Sequence, residues 1–287
     1  MRLGGTVFYD GTNPEEYALA HVEKGFGAAL CPDWISLENP AQLDEFKRAM
    51  RKHDVCIAEV GAWCNPLHPD KKEAEKNIQY MIQRLQLAEE LEAVTCVNIL
   101  GTKSVENWYA PTRESYSNAF FEEAVAVSQR IIDAVKPVHT KLSFEMMPYN
   151  FLDDAKEYLH FLGAVDRDGA GVHLDICNTI NHPRLLYRNE EHIRETFSLL
   201  RDKIVTLHLK DITLRKDTFT VEFNEVLIGT GDVNYEVLMK EIAALSVDTP
   251  AMLEHLQTEE EYDAATAATL AYAEMAGMEK KGMVWQL

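Results

Sequence analysis

Basic residues are scarce in this chain: 28 Lys and Arg stand against 47 Asp and Glu, a formal charge of −19. A surface this anionic repels phosphate backbones and acidic lipid headgroups, which weighs against nucleic acid and membranes as partners. Nowhere does the chain hold the ~18 consecutive apolar residues of a membrane-spanning helix. Its opening, MRLGGTVFYDG, also lacks an apolar stretch of signal-peptide length, so cytoplasmic residence is the expectation. Cysteine is sparse as well. Cys31, Cys56, Cys64, Cys96 and Cys177 are odd in number, show no CxxC spacing and mostly sit in apolar runs, so they read as reduced core thiols. No low-complexity linker or shift in composition divides the sequence, which is read as a single domain over residues 1–287.

What is present is an alternation of short β-rich runs with longer stretches of helical periodicity, the pattern of a parallel sheet covered by helices. LGGTVFY, AALCP, VCIAEVGAW and AVTCVNILG open the first four units, and KLSFEMMP, GAGVHLDIC, IVTLHLKDI and PAMLEHL open the last four. Asn13-Pro14 and Pro40 suit first helical turns, and the helix after the fourth strand should stop before Pro137. Eight such units close most simply into a (β/α)8 TIM barrel, an α/β architecture common at this length. One segment breaks the rhythm. Between Thr213 and Val233, strand-like alternation around Lys216-Asp217 followed by Gly-Thr-Gly predicts a β-hairpin inserted after strand 7.

Buried barrel strands should be almost wholly apolar, so an ionisable residue near a strand's C-terminal end needs a reason. The last four strands each carry one: Glu145, Asp175, His208 and Glu254. The intervals from 145 to 175, 175 to 208 and 208 to 254 are 30, 33 and 46 residues, or one strand-helix unit each with the hairpin lengthening the last. Spacing in whole units sets the four side chains around one rim. There, three carboxylates and an imidazole would repel one another without a cation between them. Oxygen-rich ligation with one imidazole suits a divalent metal, Mn2+ first, with Mg2+, Co2+ or Zn2+ as alternatives. Four separately satisfied strand-end residues are the bland alternative, and their common phase argues against it. A metal that chelates a carbonyl and a neighbouring hydroxyl stabilises an enediolate, and a carboxylate can take the α-proton. Glu145 and Glu254, at the two ends of the arc, are the natural catalytic pair.

The four strand-end ligands, the His-x-Lys-Asp form of His208-Leu209-Lys210-Asp211 and the segment IGTGDVNYEVLMKEI resemble the xylose-isomerase-like TIM-barrel superfamily of sugar isomerases and epimerases over essentially the whole chain. The resemblance implies that Glu145, Asp175, His208 and Glu254 bind the metal and that Glu145 and Glu254 move protons on opposite faces of a carbonyl sugar. It has a limit. Ketose 3-epimerases of the superfamily usually carry a histidine three residues after the metal-binding aspartate and an arginine six after the metal-binding histidine, where this chain has Asn178 and Leu214. These departures weigh against free ketohexoses as substrates.

Further candidates for a substrate site each have a bland alternative. His173 points to the same side as Asp175 and reads as support for the ligands, a proton shuttle or a packed core histidine. Lys210 reads as a cationic donor to a substrate oxygen or as a structural ion pair. Glu59 and Trp63 on strand three and Asn98 on strand four could line a sugar pocket, as could His68 in the loop after strand three. Trp34, Trp108 and Tyr109 fall in loops of the same end. TINHPRLLYRN, after strand six, is the expected specificity loop, with Asn178 directly before it, Tyr187 in it and Arg184 as an anchor for a carboxylate or phosphate. His255 should face away from Glu254, toward a helix.

The leading reading is a metal-dependent isomerase or epimerase acting on a sugar or sugar derivative by α-proton transfer. A lyase or dehydratase acting on a keto-inositol or 3-keto-glycoside could use the same site, and a non-catalytic sugar-binding barrel is the weakest rival. An endonuclease-like phosphodiesterase would need a metal cluster and a basic face that the charge denies. Homo-oligomers are common for barrels with exposed helices, and nothing in the sequence fixes a number.

Overall fold

The computed structural model describes residues 1–287. Seven parallel strands come first: β1 (Arg2–Gly4), β2 (Ala28–Leu30), β3 (Cys56–Gly61), β4 (Thr95–Asn98), β5 (Lys141–Glu145), β6 (Ala170–Asp175) and β7 (Ile204–Leu209). A hairpin of β8 (Asp211–Leu214) and β9 (Phe223–Val226) follows directly. β10 (Pro250–Leu253) then pairs with both β7 and β1 and closes the barrel, with Leu3 beside Ala251. The expected eight-stranded barrel with an insertion after its seventh strand is the observed fold. The hairpin starts earlier than the alternation suggested, at Asp211. Lys216 and Asp217, where strand-like alternation was expected, lie instead in its tip, the Arg215–Glu222 segment closed by Arg215 N–H donating to Glu222 O at 2.9 Å.

The covering helices begin where the sequence offers caps. α1 (Pro14–Glu23) is capped by the Asn13 side chain, which accepts from Glu15 N–H at 2.9 Å. α2 (Pro40–Lys52) and α3 (Lys71–Leu91) start on Asn39 and Asp70. α4 (Asn118–Val135) stops at a left-handed Lys136 just before Pro137, and α5 (Ala155–Val165) is capped by Asp154. The loop after β6 holds two short helices that its polar composition did not signal, α6 (Ile176–Thr179) and α7 (Pro183–Tyr187). α8 (Asn189–Leu200), α9 (Tyr235–Ala243) and α10 (Glu259–Met275) complete the set, the last with a Thr258–Glu261 capping box. A second unforeseen element, the hairpin β11 (Glu279–Lys281) and β12 (Val284–Gln286), covers the N-terminal end of the barrel, where Trp285 N–H donates to Met1 O at 2.8 Å. No helix is long and apolar enough to cross a membrane. All five cysteines are unpaired.

Apolar burial is concentrated between the helices and the outside of the barrel, in one cluster of 66 buried residues. The inside is different. Ala28, Ala58 and Met252 form a small apolar group, but around them polar side chains bond across neighbouring strands, Thr95 Oγ1 to Ser143 Oγ at 2.7 Å and His173 Nδ1 to Thr206 Oγ1 at 2.6 Å. Interior positions of a barrel stack in layers. Here those layers are polar from the middle upward, so the upper barrel presents hydrogen-bonding groups to whatever occupies its mouth.

Tyr158 of α5 fixes the strand that carries Glu145. Its buried hydroxyl accepts from Phe144 N–H at 3.0 Å and donates to Phe144 O at 2.6 Å. Tyr158→Phe leaves a buried amide without an acceptor and should cost about 1–3 kcal/mol, read by urea denaturation; an unchanged midpoint would show that β5 does not depend on this tie. A second expectation concerns acid. His21 on α1 is fully buried, with Nδ1 2.9 Å from Tyr17 O, and burial lowers its pKa to about 4. A folded pKa below the unfolded value of ~6.5 means that its stability contribution is present above that value and is lost as pH falls from there toward 4. Between pH 7 and 4 the wild type should lose about 3 kcal/mol more than His21→Leu, and parallel melting curves of the two proteins across that range would contradict it.

Candidate metal centre

Register brings the four strand-end residues together. Glu145 lies beside His173 across β5 and β6, and Asp175 lies beside His208 across β6 and β7. Glu254 follows β10 directly. One ligand atom from each of Glu145, Asp175, His208 and Glu254 falls within 4.8 Å of the others, and all but Glu254 are buried. His208 Nδ1 sits 2.8 Å from Glu254 Oε2 and 3.4 Å from Glu145 Oε1. Its other nitrogen, Nε2, faces Glu59 Oε2 at 3.4 Å. With a cation among the carboxylates, a proton kept on Nε2 by Glu59 would leave the Nδ1 lone pair free for the metal, the tautomer a ligand requires.

The donor set fits a divalent cation. Lys210 reaches into the cluster, its Nζ 2.8 Å from Asp175 Oδ2 and 2.7 Å from Glu254 Oε2. Both oxygens are nevertheless buried without a hydrogen-bond partner of proper geometry. Three carboxylate charges against the single charge of Lys210 leave two uncompensated when His208 is neutral, the charge a divalent ion supplies. Three carboxylates and one imidazole also match the oxygen-rich preference of Mn2+ and Mg2+ more closely than a thiolate set would.

Crowding of like charge shows in the titration of the site. Burial, reinforced by the Glu254 charge, raises the Glu145 carboxyl. Partial burial works against a charge on Glu254 as well, yet His208, Lys210 and His255 hold it well below the usual carboxylate range. Burial works against a charged imidazole at His208, but Glu254, Glu59 and Glu145 hold its pKa well above the ordinary value. His173 goes the other way. Burial and the neighbouring His208 ring, 4.0 Å away, lower it to about 4 and keep it neutral.

The remaining candidates divide into two groups. Glu59 and His173 form the layer beneath the four strand-end residues, joined by a 3.5 Å contact between Glu59 Oε1 and His173 Nδ1. Asn178 bridges two of them: its Nδ2 donates to Glu145 Oε1 at 2.9 Å and its backbone N–H donates to Asp175 Oδ1 at 3.1 Å. Trp63 is half exposed and shares a cavity wall with His208 and Glu254. Asn98, His68 and Arg184 are not brought to the centre. Asn98 is fully buried, exchanging hydrogen bonds with the backbone of Cys64, and His68 accepts from Asp70 N–H in the turn before α3. Arg184 is exposed on α7, forms no ion pair and does not line the cavity that Trp63 shares with His208 and Glu254.

His255 is a correction. Its ring does not turn toward a helix but stands at the mouth, with Nδ1 2.8 Å from Glu225 Oε2 and Nε2 3.4 Å from Glu254 Oε1. β10 ends at Leu253 and His255 has φ 60°, so strand alternation no longer governs its direction. Glu225 itself was missed. Alternation announced a hairpin, but only the pairing of Ile212 with Glu225 carries that carboxylate back over the mouth, 3.9 Å from Lys210 Nζ. Asp211 explains why the hairpin returns. Its buried carboxylate accepts from the backbone N–H groups of Gly229, Gly231 and Val233 at 2.9–3.2 Å, and a Cβ at Gly231 would lie 2.1 Å from Asp211 Oδ1.

Comparison with known proteins agrees with this architecture. Residues 21–273 match the family described as Xylose isomerase-like TIM barrel. A D-psicose 3-epimerase of Clostridium cellulolyticum, in complex with D-tagatose, superposes with a TM-score of 0.67 at 14% identity, covering 96% of this chain and 99% of that one. A probable 3-DHS dehydratase of Bacillus anthracis gives 0.66 at 17% over 94% and 97%. Endonuclease IV of Thermus thermophilus gives 0.71 at 14% over 96% and 99%. At such identities the likeness is one of fold. No curated protein matches by sequence.

Titration of metal-stripped protein with Mn2+ should raise the melting temperature and saturate at one ion per chain, as expected of a ligand that binds only the folded state. Asp175→Asn should weaken that binding by at least about 100-fold. A melting temperature indifferent to Mn2+, Mg2+, Co2+ and Zn2+ alike would remove the metal centre.

Proposed function

The chain belongs to the xylose isomerase-like TIM-barrel family, and from that premise we propose that it is a divalent-metal-dependent isomerase or epimerase that moves an α-proton on a small sugar or sugar derivative. The observation that carries the reading is the convergence of two carboxylates, Glu145 and Glu254, from opposite ends of one ligand arc onto a common point at an open barrel mouth. Glu145, Asp175, His208 and Glu254 would hold a divalent ion, Mn2+ by preference, which would supply Lewis-acid polarisation of a substrate carbonyl.

The residues of the chain do the rest. In the proposed reaction one glutamate removes the proton from the carbon next to the carbonyl, and the electron pair of that C–H bond moves into a carbon–carbon double bond while the carbonyl oxygen gains charge. Lys210, 2.7 Å from Glu254 and 2.8 Å from Asp175, brings an ammonium to the place where that charge develops. The second glutamate returns a proton to the opposite face of the same carbon for epimerisation; for isomerisation the proton goes to the former carbonyl carbon while the adjacent hydroxyl proton passes to the former carbonyl oxygen. Asn178 keeps Glu145 and Asp175 in register. Glu59 keeps the His208 ring turned toward the carboxylates. The net charge of −19 favours a small polar substrate over nucleic acid, whatever the fold shares with endonuclease IV.

Incubating the Mn2+-loaded protein in D2O with ketoses, keto-inositols and 3-keto-glycosides should give solvent deuterium at a carbon α to the carbonyl of at least one compound, followed by NMR. Glu145→Gln and Glu254→Gln should each slow that exchange by about 10²–10⁴-fold, with metal content measured in parallel so that lost binding is told from lost proton transfer. The same spectra separate epimerisation from elimination, because a dehydratase releases water and forms an unsaturated product. An active double variant would overturn the assignment of the pair.

A further inference from the structure

A cavity of about 370 Å3 leads away from His208 and Glu254 toward β2 and β3, and its outer wall carries Trp63, Tyr80 and Arg84. We propose that this cavity is the seat of the distal end of the substrate and that Arg84 selects substrates whose far end is anionic, a phosphate ester or a carboxylate. The inference rests on the reading of the barrel mouth as a substrate site and adds to it the class of compound.

The argument starts from what Arg84 does not do. In a chain with 47 acidic residues, every other partly buried arginine is tied to a carboxylate: Arg2 to Asp248, Arg167 to Asp133, Arg201 to Glu241 and Arg215 to Glu222. Arg84 is partly buried and has no such partner. Its one hydrogen bond runs from Nε to Gly61 O at 2.8 Å, which pins the plane of the guanidinium and leaves both terminal nitrogens unpaired at the cavity wall. A guanidinium fixed by its inner nitrogen and open at its outer edge presents the fork that grips two oxygens of a carboxylate or phosphate. Asp33 lines the same cavity but is exposed at its rim and forms no ion pair with Arg84, so the charge is not cancelled from within the protein.

The neighbouring wall fits a sugar between that anchor and the metal centre. Trp63 is 45% exposed, and its indole folds back over Gly61, where a Cβ would lie 2.5 Å from Nε1. The absence of a side chain at 61 therefore lets an aromatic face stand next to the carbonyl that anchors Arg84, a surface on which a polyol chain or ring can lie. The volume falls within the range of small-molecule sites.

The test uses three compounds that differ at one carbon: D-glucose, D-glucuronate and D-glucose 6-phosphate. Binding to the Mn2+-loaded protein is measured by calorimetry at fixed ionic strength. At least one of the two anions should bind about 10-fold or more tightly than glucose, and whichever binds more tightly identifies the distal group as carboxylate or phosphate. Arg84→Gln should bring the three affinities to within about twofold of one another with the Mn2+ content unchanged. Inorganic phosphate should compete with the preferred anion in the wild type, a measurement that does not depend on the variant folding. Equal affinities in the wild type, no binding by either anion, or a preference that survives Arg84→Gln would each overturn the proposal. Failure of the metal reading would look different: a protein that holds no Mn2+ yet keeps an anion preference dependent on Arg84.

Discussion

Like charge held together at the mouth of the barrel is the constraint on which the rest of the molecule turns. Glu145, Asp175 and Glu254 come from three different strand ends and would separate if they were free to move. They are not free, because each rides on a strand whose neighbours fix it by a ladder of backbone hydrogen bonds closed into a ring. Lys210 answers one of the three charges. The other two define what the site can bind, and the oxygens of Asp175 and Glu254 that Lys210 approaches without a well-formed hydrogen bond mark where it would sit. A rigid scaffold that keeps repelling groups in place is the usual way a protein prepares a cation site before the cation arrives.

Support for the ligands comes from inside the barrel. The polar layer of Glu59, His173 and Thr206 is an expensive thing to bury, and it is tolerated because most of its atoms answer one another. Its effect is directional: His208 has a carboxylate behind it as well as in front, so its ring has one orientation and one tautomer suited to ligation. Above the ligands, the inserted hairpin has a comparable role. Asp211 gathers the backbone of the Gly-Thr-Gly return, and the pairing that results sets Glu225 and His255 on the rim beside Glu254. The hairpin thereby walls one side of the mouth, and on the other a cavity runs toward β2 and β3, where Trp63 and Arg84 stand.

The asymmetry between the two sides of the mouth bears on specificity. On one side nearly every charged group has a partner, as with Arg215 and Glu222 or His255 and Glu225. On the other side the guanidinium of Arg84 does not. A fold shared with an epimerase, a probable dehydratase and an endonuclease leaves the chemistry to such local differences, since the barrel itself is common to all three.

The sequence alone determined the barrel, because alternation of apolar strands with amphipathic helices is a local signal and eight repeats have one simple closure. It also singled out the four strand-end residues that the fold gathers at one point. Glu145, Asp175, His208 and Glu254 each violate the apolar rule for a buried strand, and they do so at intervals of one repeat, so linear spacing stood in for distance. The tertiary structure decided what depends on direction and register. Asn98 looked like a lining residue and instead satisfies the backbone of Cys64; His255 looked averted and instead, through a left-handed backbone, faces Glu225. Glu225 and Arg84 carry no local mark, because the first reaches the mouth only through cross-strand pairing and the second only by leaning from a helix across the end of β3. Strand-end position is written in the chain one residue at a time, whereas the facing of a side chain across a hairpin or a helix is fixed only when the elements pack.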